Sequence, residues 1–346
     1  MTGQTEAGVA DDSPIRVALI GGGSIADAHL DGYLLATDRA SVTAVADIDA
    51  ERARHCAERA GGARVFADYR EMIGSGLVDA VDICLPHHLH KDAIVAAAAA
   101  GKHVLCEKPL CLTVAEAEAV RRAVSDSGIT LMCAHNQLFL PAVARARDIV
   151  REGGLGTVYE ARTTDSFFNP LDPETIGWRA DRATSGGGEL IDTGYHPTYL
   201  LLHLMNSQPI EVAAMLSRHR LDFLEGEDSA QVLVRFEDGA VGAIVTSWAY
   251  DPAGSTEKFS VVGENGSLWS DGSTLHHQPR GGDIVTERFA EAEPHTIALE
   301  VVDFVACLRE GRRPINTEVE GIAVLKVILA AYASADQKRI VSLEDL

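Results

Sequence analysis

Apolar positions in the first third of the chain fall in short unbroken runs, with stretches of helical period between them. Ile15 to Ile20, Ser41 to Asp47, Ala63 to Phe66, Leu77 to Leu85, His103 to Cys106 and Thr130 to Ala134 read as strands or contain them. Runs this apolar and this short suit strands covered on both faces. Glu51 to Arg59, Asp92 to Ala100 and Ala115 to Ser127 carry helical spacing, and GGGSIADAHL turns from the first strand into another helix. Such strand–helix alternation predicts an α/β domain with a doubly wound sheet over 15–134, preceded by a flexible tail over 1–14.

The pattern then changes. Pro141 to Glu152 is a helical segment closed by Gly153-Gly154-Leu155-Gly156. After it, Val158 to Thr164, Glu211 to Arg218, Ala230 to Phe236, Ala240 to Trp248, Glu257 to Gly263 and Ser267 to Ser270 read as successive strands. That succession predicts an open, predominantly antiparallel sheet with helices beside it, an α+β domain over 135–346. Two late helices, Glu300 to Arg309 and Glu318 to Ser334, are expected to pack back on the first domain before a short Arg339 to Leu343 strand.

Composition narrows the function classes. A formal charge of -21 disfavours a general nucleic-acid binder, because phosphate backbones attract basic surfaces. The longest apolar stretches, such as Ala93 to Ala100, are too short to span a bilayer, and the first residues lack the basic start and apolar core of an export signal. Cys56, Cys84, Cys106, Cys111, Cys133 and Cys307 have no close metal-ligand pairing and read as buried free thiols, which fits a reducing cytoplasm.

The first strand runs straight into Gly21, Gly22 and Gly23, and Gly21-x-Gly23-x-x-Ala26 matches a dinucleotide fingerprint. Gly21 permits the tight turn, Gly23 lets backbone approach a pyrophosphate, and Ala26 allows close helix–strand packing. Ser24 and Ile25 open the helix whose amides would receive the phosphates. Asp47 ends the second strand, where an acid bonds ribose hydroxyls and repels a 2'-phosphate. NAD is therefore favoured over NADP, with Arg52 and Arg54 nearby as the opposing signal. Ligands of such sheets collect beyond the strand C-termini, where Pro86, His87, His90 and Lys108 should sit. His87, His88 and His90 share a loop with no obvious carboxylate or cysteine set, so no metal is expected.

Glu107-Lys108-Pro109 follows a buried strand, and Asp192 precedes His196 by four residues. A helix starting near Glu189 would set both on one face, although Gly194 and Pro197 interrupt it. The pair suits proton transfer, with imidazole exchanging the proton and carboxylate orienting it; a surface pair would show the same spacing. Lys108, with its ammonium group, suits stabilising an alkoxide. Asp165, Phe168, Asn169 and Trp178 are candidate pocket residues by position, and Tyr195 either stacks on a sugar face or packs against the sheet.

The ordered set of Gly21-Gly22-Gly23-Ser24-Ile25-Ala26 with His29, Asp47, Pro86 with His90, Glu107-Lys108-Pro109, Gly186-Gly187-Gly188, Asp192-x-x-x-His196 and Gly311-Arg312-Arg313-Pro314 resembles the Gfo/Idh/MocA oxidoreductases. The resemblance runs from about Ile15 to about Leu343. It implies a Rossmann NAD domain joined to an open-sheet domain, with the nicotinamide at their junction. It further implies Glu107 and Lys108 beside the cofactor, Lys108 on a substrate hydroxyl, His196 as acid/base and Asp192 as its partner. The implied reaction moves hydride at a secondary alcohol of a sugar, inositol or related polyol, in a homodimer or homotetramer. A redox-neutral glycoside-cleaving, isomerising or transferring enzyme with tightly held NAD is the alternative. Where relatives often carry an asparagine and arginine, this chain has Asn136 but then Gln137 and Leu138, with no cation.

Overall fold

The computed structural model describes residues 13–251, 256–291 and 293–346. Most of the expected N-terminal tail therefore lies outside the described residues. Six parallel strands, β1 (Ile15–Ile20), β2 (Ala40–Ala46), β3 (Arg64–Phe66), β4 (Ala80–Ile83), β5 (His103–Cys106) and β6 (Leu131–Cys133), form one sheet. Their order is β3-β2-β1-β4-β5-β6, the doubly wound arrangement expected from the alternation.

Side-chain alternation along β1 explains both faces of this sheet. Val17 and Leu19 join Leu30, Tyr33, Ala53 and Phe304 on one side, while Ala18 and Ile20 join Met72, Ile94 and Val120 on the other. The helix Thr296–Glu310, distant in sequence, belongs to the first of these cores through Val301, Phe304 and Val305. Burying a ring such as Phe304 contributes about 2–3 kcal/mol. The approach of this helix to the helix Ser24–Leu35 is close enough that a Cβ at Gly32 would lie 2.5 Å from Val301 Cβ. Any larger residue at Gly32 would push the two helices apart.

The second sheet contains β7 (Val158–Ser166), β8 (Pro209–Ser217), β9 (Ser229–Phe236), β10 (Val241–Ser247), β11 (Phe259–Gly263), β12 (Gly266–Ser270), β13 (Thr274–Pro279), β14 (Val285–Arg288) and β15 (Val341–Ser342). It runs β14-β13-β12-β11-β7-β10-β9-β8-β15, antiparallel throughout except between β7 and β10. Helices Pro141–Arg151, Tyr195–Leu204 and Glu318–Gln337 share a core with one face. On the other face Met215 is 83% exposed and Leu233 53%. The long helix starts at a capping box in which Thr317 and Glu320 satisfy each other's backbone N–H groups.

The expected helix from Glu189 does not form. The regular helix starts at Tyr195, and Asp192 lies in the turns before it. The glycines decide this: a Cβ at Gly188 would collide with the backbone of Glu227, and Glu189 N–H donates to Glu227 O at 2.8 Å. The chain is thus pinned at Glu189 against a neighbouring loop and then turns, with Gly194 N–H donating to Glu189 O at 2.8 Å. Strands β13 and β14 and the helix Tyr69–Gly74 were absent from the expected elements. β14 is mostly exposed, so its sequence carries little apolar alternation. Among the described residues no helix is long and apolar enough to cross a membrane, and all six cysteines are buried and unpaired.

Candidate active site

The dinucleotide turn is built as its chemistry requires. Gly21 has φ +98°, in the left-handed region, and a Cβ there would strike the Cys84 carbonyl. Gly23 is the N-cap of the helix Ser24–Leu35 with no side chain capping the first amides, and a Cβ on it would meet nothing within 4 Å. Free N–H groups and open space therefore coincide at a positive helix end, which fits a pyrophosphate. Ala26 is fully buried beneath the turn. Asp47 leaves β2 with Oδ2 accepting from Gly22 N–H at 2.6 Å and Oδ1 from Asp49 N–H at 2.8 Å. Both bonds aim its carboxylate, and these residues fit an adenosine ribose and diphosphate.

A cavity of about 360 Å³ opens beyond the C-termini of β4 and β5. Ser24, Ile25, Glu107, Lys108, Asn136, Trp178 and His196 line it, joined by His87, Arg179 and Ile297. Asp192 organises its cationic side. Lys108 Nζ donates to Asp192 Oδ1 at 2.7 Å and to Asp192 O at 2.9 Å, and Arg179 Nε donates to Oδ2 at 2.8 Å. Burial alone would raise the Asp192 carboxyl, yet Lys108 and Arg179 hold it well below the usual carboxylate range. His87 adds no charge there, because burial pushes it down to about 3. The expected hydrogen-bonded partnership of Asp192 with His196 is thus corrected: both oxygens of Asp192 face cations.

Tyr199 takes the place beside His196. Its hydroxyl lies 2.8 Å from His196 Nδ1 and 3.3 Å from Asn136 Oδ1, and accepts from Gln137 N–H at 3.0 Å. A single hydroxyl proton serves either acceptor. Donation to Asn136 leaves His196 protonated on Nδ1 and Nε2 free as a base; donation to His196 makes Nε2 the proton donor. Burial first, then the charges of Lys108 and Lys258, hold His196 well below its ordinary value. The imidazole is consequently neutral near pH 7.

Other sequence candidates separate. Tyr195 is fully buried and donates to Gly321 O at 3.0 Å, so it packs in the core and does not reach the cavity. His90, also fully buried, places Nδ1 and Nε2 each 2.7 Å from the carbonyls of Pro109 and Leu85. It braces the two loops at the cavity floor where cofactor contact was expected. Pro86 begins the short turn between β4 and the next helix and does not line the cavity. Asn169 lines a neighbouring cavity of about 430 Å³ together with Arg179 and Asp192. Phe168 is 38% exposed beneath the Arg220 guanidinium, 4.5 Å from its ring centre. Asp165 lies 3.4 Å from Gln137 Nε2 and 3.8 Å from Lys258 Nζ. Lys258 also donates to Gln137 Oε1 at 3.0 Å, so the cation absent after Asn136 arrives from the start of β11. Arg179, Lys258 and Ile297 had no motif; Arg179 directly follows Trp178, whose ring it covers at 4.2 Å.

A parallel six-stranded sheet with this glycine turn, joined at a lysine–histidine cleft to an open mixed sheet, defines a dinucleotide-dependent oxidoreductase. Residues 15–135 match the oxidoreductase family with NAD-binding Rossmann fold, and 143–269 match the GFO/IDH/MocA C-terminal domain. The chain belongs to the Gfo/Idh/MocA family. It is 31% identical to the 1,5-anhydro-D-fructose reductase of Ensifer adhaerens over 80% of this chain and 81% of that one. To the myo-inositol 2-dehydrogenase of Thermotoga maritima it is 27% identical, covering 96% of this chain and 99% of the relative. A levoglucosan dehydrogenase solved with NADH superposes with a TM-score of 0.87 at 26% identity, covering 96% of this chain and 99% of that one.

Proposed function

We propose that this protein is an NAD-linked dehydrogenase acting at a secondary alcohol or ketone of a sugar, inositol or related polyol. The observation that carries this reading is the convergence of Lys108 and neutral His196 on one cavity with the dinucleotide turn. Bound nicotinamide supplies the hydride chemistry. His196 Nε2 takes the hydroxyl proton during oxidation and returns it during reduction, and the Tyr199 hydroxyl, donating to His196 Nδ1 or to Asn136, accommodates both tautomers. Lys108 stabilises the developing alkoxide, while Asp192 holds its ammonium in place. Trp178 offers an apolar ring beside the polar groups, as sugar faces require. The aimed carboxylate of Asp47 favours NAD over NADP. The exposed sheet face around Met215 and Leu233 supports assembly as a homodimer or homotetramer.

Lys108→Ala tests the assignment. The expected result is a turnover loss of roughly 100-fold or more, with NADH binding by fluorescence titration kept within about threefold. His196→Ala should lose a similar factor. Undiminished turnover in either variant would remove that residue from the chemistry.

A further inference from the structure

Behind the cofactor side of the cavity lies a closed polar cluster that the proton transfers above do not use. His29, on the helix Ser24–Leu35, is fully buried. Its Nδ1 is 2.8 Å from Asp82 Oδ2, and its Nε2 is 3.1 Å from Glu107 Oε1. Tyr33 donates its hydroxyl to the same Asp82 oxygen at 3.0 Å. The other Glu107 oxygen accepts from Lys108 N–H at 2.9 Å. Glu300 comes in from the helix Thr296–Glu310, fully buried, and neither of its carboxyl oxygens has a hydrogen-bond partner among the described residues. One of those oxygens lies within 4.8 Å of both His29 and Glu107.

Charge balance in this dry interior settles the protons. A ring whose two nitrogens both face carboxylate oxygens is best satisfied as imidazolium, donating to each. Burial alone would lower His29, but Asp82 lifts it well above its ordinary value. Burial raises Glu107, and His29 outweighs this, so Glu107 is lowered and ionised. Both His29 nitrogens are then committed, to Asp82 and to Glu107, while the Lys108 ammonium is held by Asp192. Glu300 has no hydrogen-bond donor among the described residues, and burial, only partly opposed by the nearby His29 charge, drives it well above the carboxylate range. The remaining titratable neighbours are Tyr33, Cys84, Cys106 and Cys133. Burial raises all four, Cys84 to about 12, so none adds a charge near neutral pH.

Glu107 is the only carboxylate among the residues lining the cavity. We propose that His29 is a positioning residue that holds Glu107 as an oriented anion against the dinucleotide site, with Glu300 beside it as an uncharged acid, and that this arrangement favours positively charged NAD+ over NADH. The inference rests on the nicotinamide reading of the site. It needs no substrate, because it concerns the two nucleotide affinities alone.

Calorimetric titration of the purified full chain with NAD+ and with NADH, at one pH near neutrality, tests it. His29→Gln should weaken NAD+ relative to NADH by roughly tenfold, the size expected for loss of one favourable charge interaction. Glu107→Gln should produce the same shift, and the double variant no more than either alone. Glu300→Gln, an isostere of the uncharged acid, should leave the ratio within about twofold. A folded His29→Gln protein with the wild-type ratio would overturn the proposal, and so would a Glu300→Gln shift as large as that of His29→Gln. Should His29→Gln fail to fold, an unchanged ratio in Glu107→Gln overturns it equally. A wild-type protein that binds neither nucleotide would instead sink the nicotinamide reading, a separate and recognisable failure.

Discussion

Replacing His135 with phenylalanine removes one buried titration from beside Tyr199 and His196. His135 is 1% exposed and stacks on Tyr199, with ring centroids 4.3 Å apart and planes 11° from parallel. Its Nε2 has no hydrogen-bond partner among the described residues, and burial pushes the imidazole down to about 3. In the unfolded chain the same group titrates near 6.5. The folded value is the lower one, so below pH 6.5 the unfolded chain takes up a proton that the fold refuses. Stability is lost as pH falls through that window. Between pH 7.5 and pH 5 the loss from this one group is about 2 kcal/mol. Phenylalanine keeps the stacking face and cannot protonate. Urea unfolding at both pH values should therefore show a stability drop smaller by about 2 kcal/mol in His135→Phe than in the wild type. His87, also buried and pushed to about 3, keeps its own share, so the variant remains acid-sensitive. Equal drops in the two proteins would mean that His135 titrates near 6.5 inside the fold, which would refute the reasoning.

Two further substitutions probe the cleft. Tyr199→Phe removes the 2.8 Å contact to His196 Nδ1 and should lower kcat roughly tenfold with KM for the alcohol nearly unchanged, read from steady-state kinetics; an unaltered kcat would show that the hydroxyl does not support the His196 proton transfer. Asp47→Ser removes the carboxylate held by Gly22 and Asp49 and should narrow the preference for NAD over NADP by roughly tenfold or more, measured as the ratio of kcat/KM values.

How much of this was visible in the sequence varied with the physics behind each feature. The parallel sheet was legible because β1 and β4 to β6 are largely covered on both faces and so are written mostly in apolar residues, Asp82 in β4 being a buried exception. The edge strand β14 and its neighbour β13 were not, since partly exposed residues such as His276, His277 and Glu287 carry no such signature. Lys108, Asn136, Trp178 and His196 were found through local motifs or position, and the fold gathers them in one cavity. Spacing misled for Asp192, because four residues mean one helical face only where a helix exists. There Gly188 lays the chain against Glu227, and Asp192 turns to Lys108 and Arg179. For Tyr195 the sequence left a sugar platform and packing both open, and its place on the helix, with the hydroxyl on Gly321, decides for packing. Arg179, Lys258 and Glu300 come from a loop, the start of a strand and a late helix. Only the tertiary fold brings such groups to the site.

The most direct measurement is absorbance at the NADH band when the purified protein meets excess NAD and a panel of inositols, aldoses and glycosides. The account predicts steady growth of that band with at least one polyol or sugar, abolished in Lys108→Ala. A protein that holds NAD and converts a panel member to an isomer or cleavage product, with no free NADH formed, would contradict net dehydrogenation and establish a redox-neutral reaction in its place.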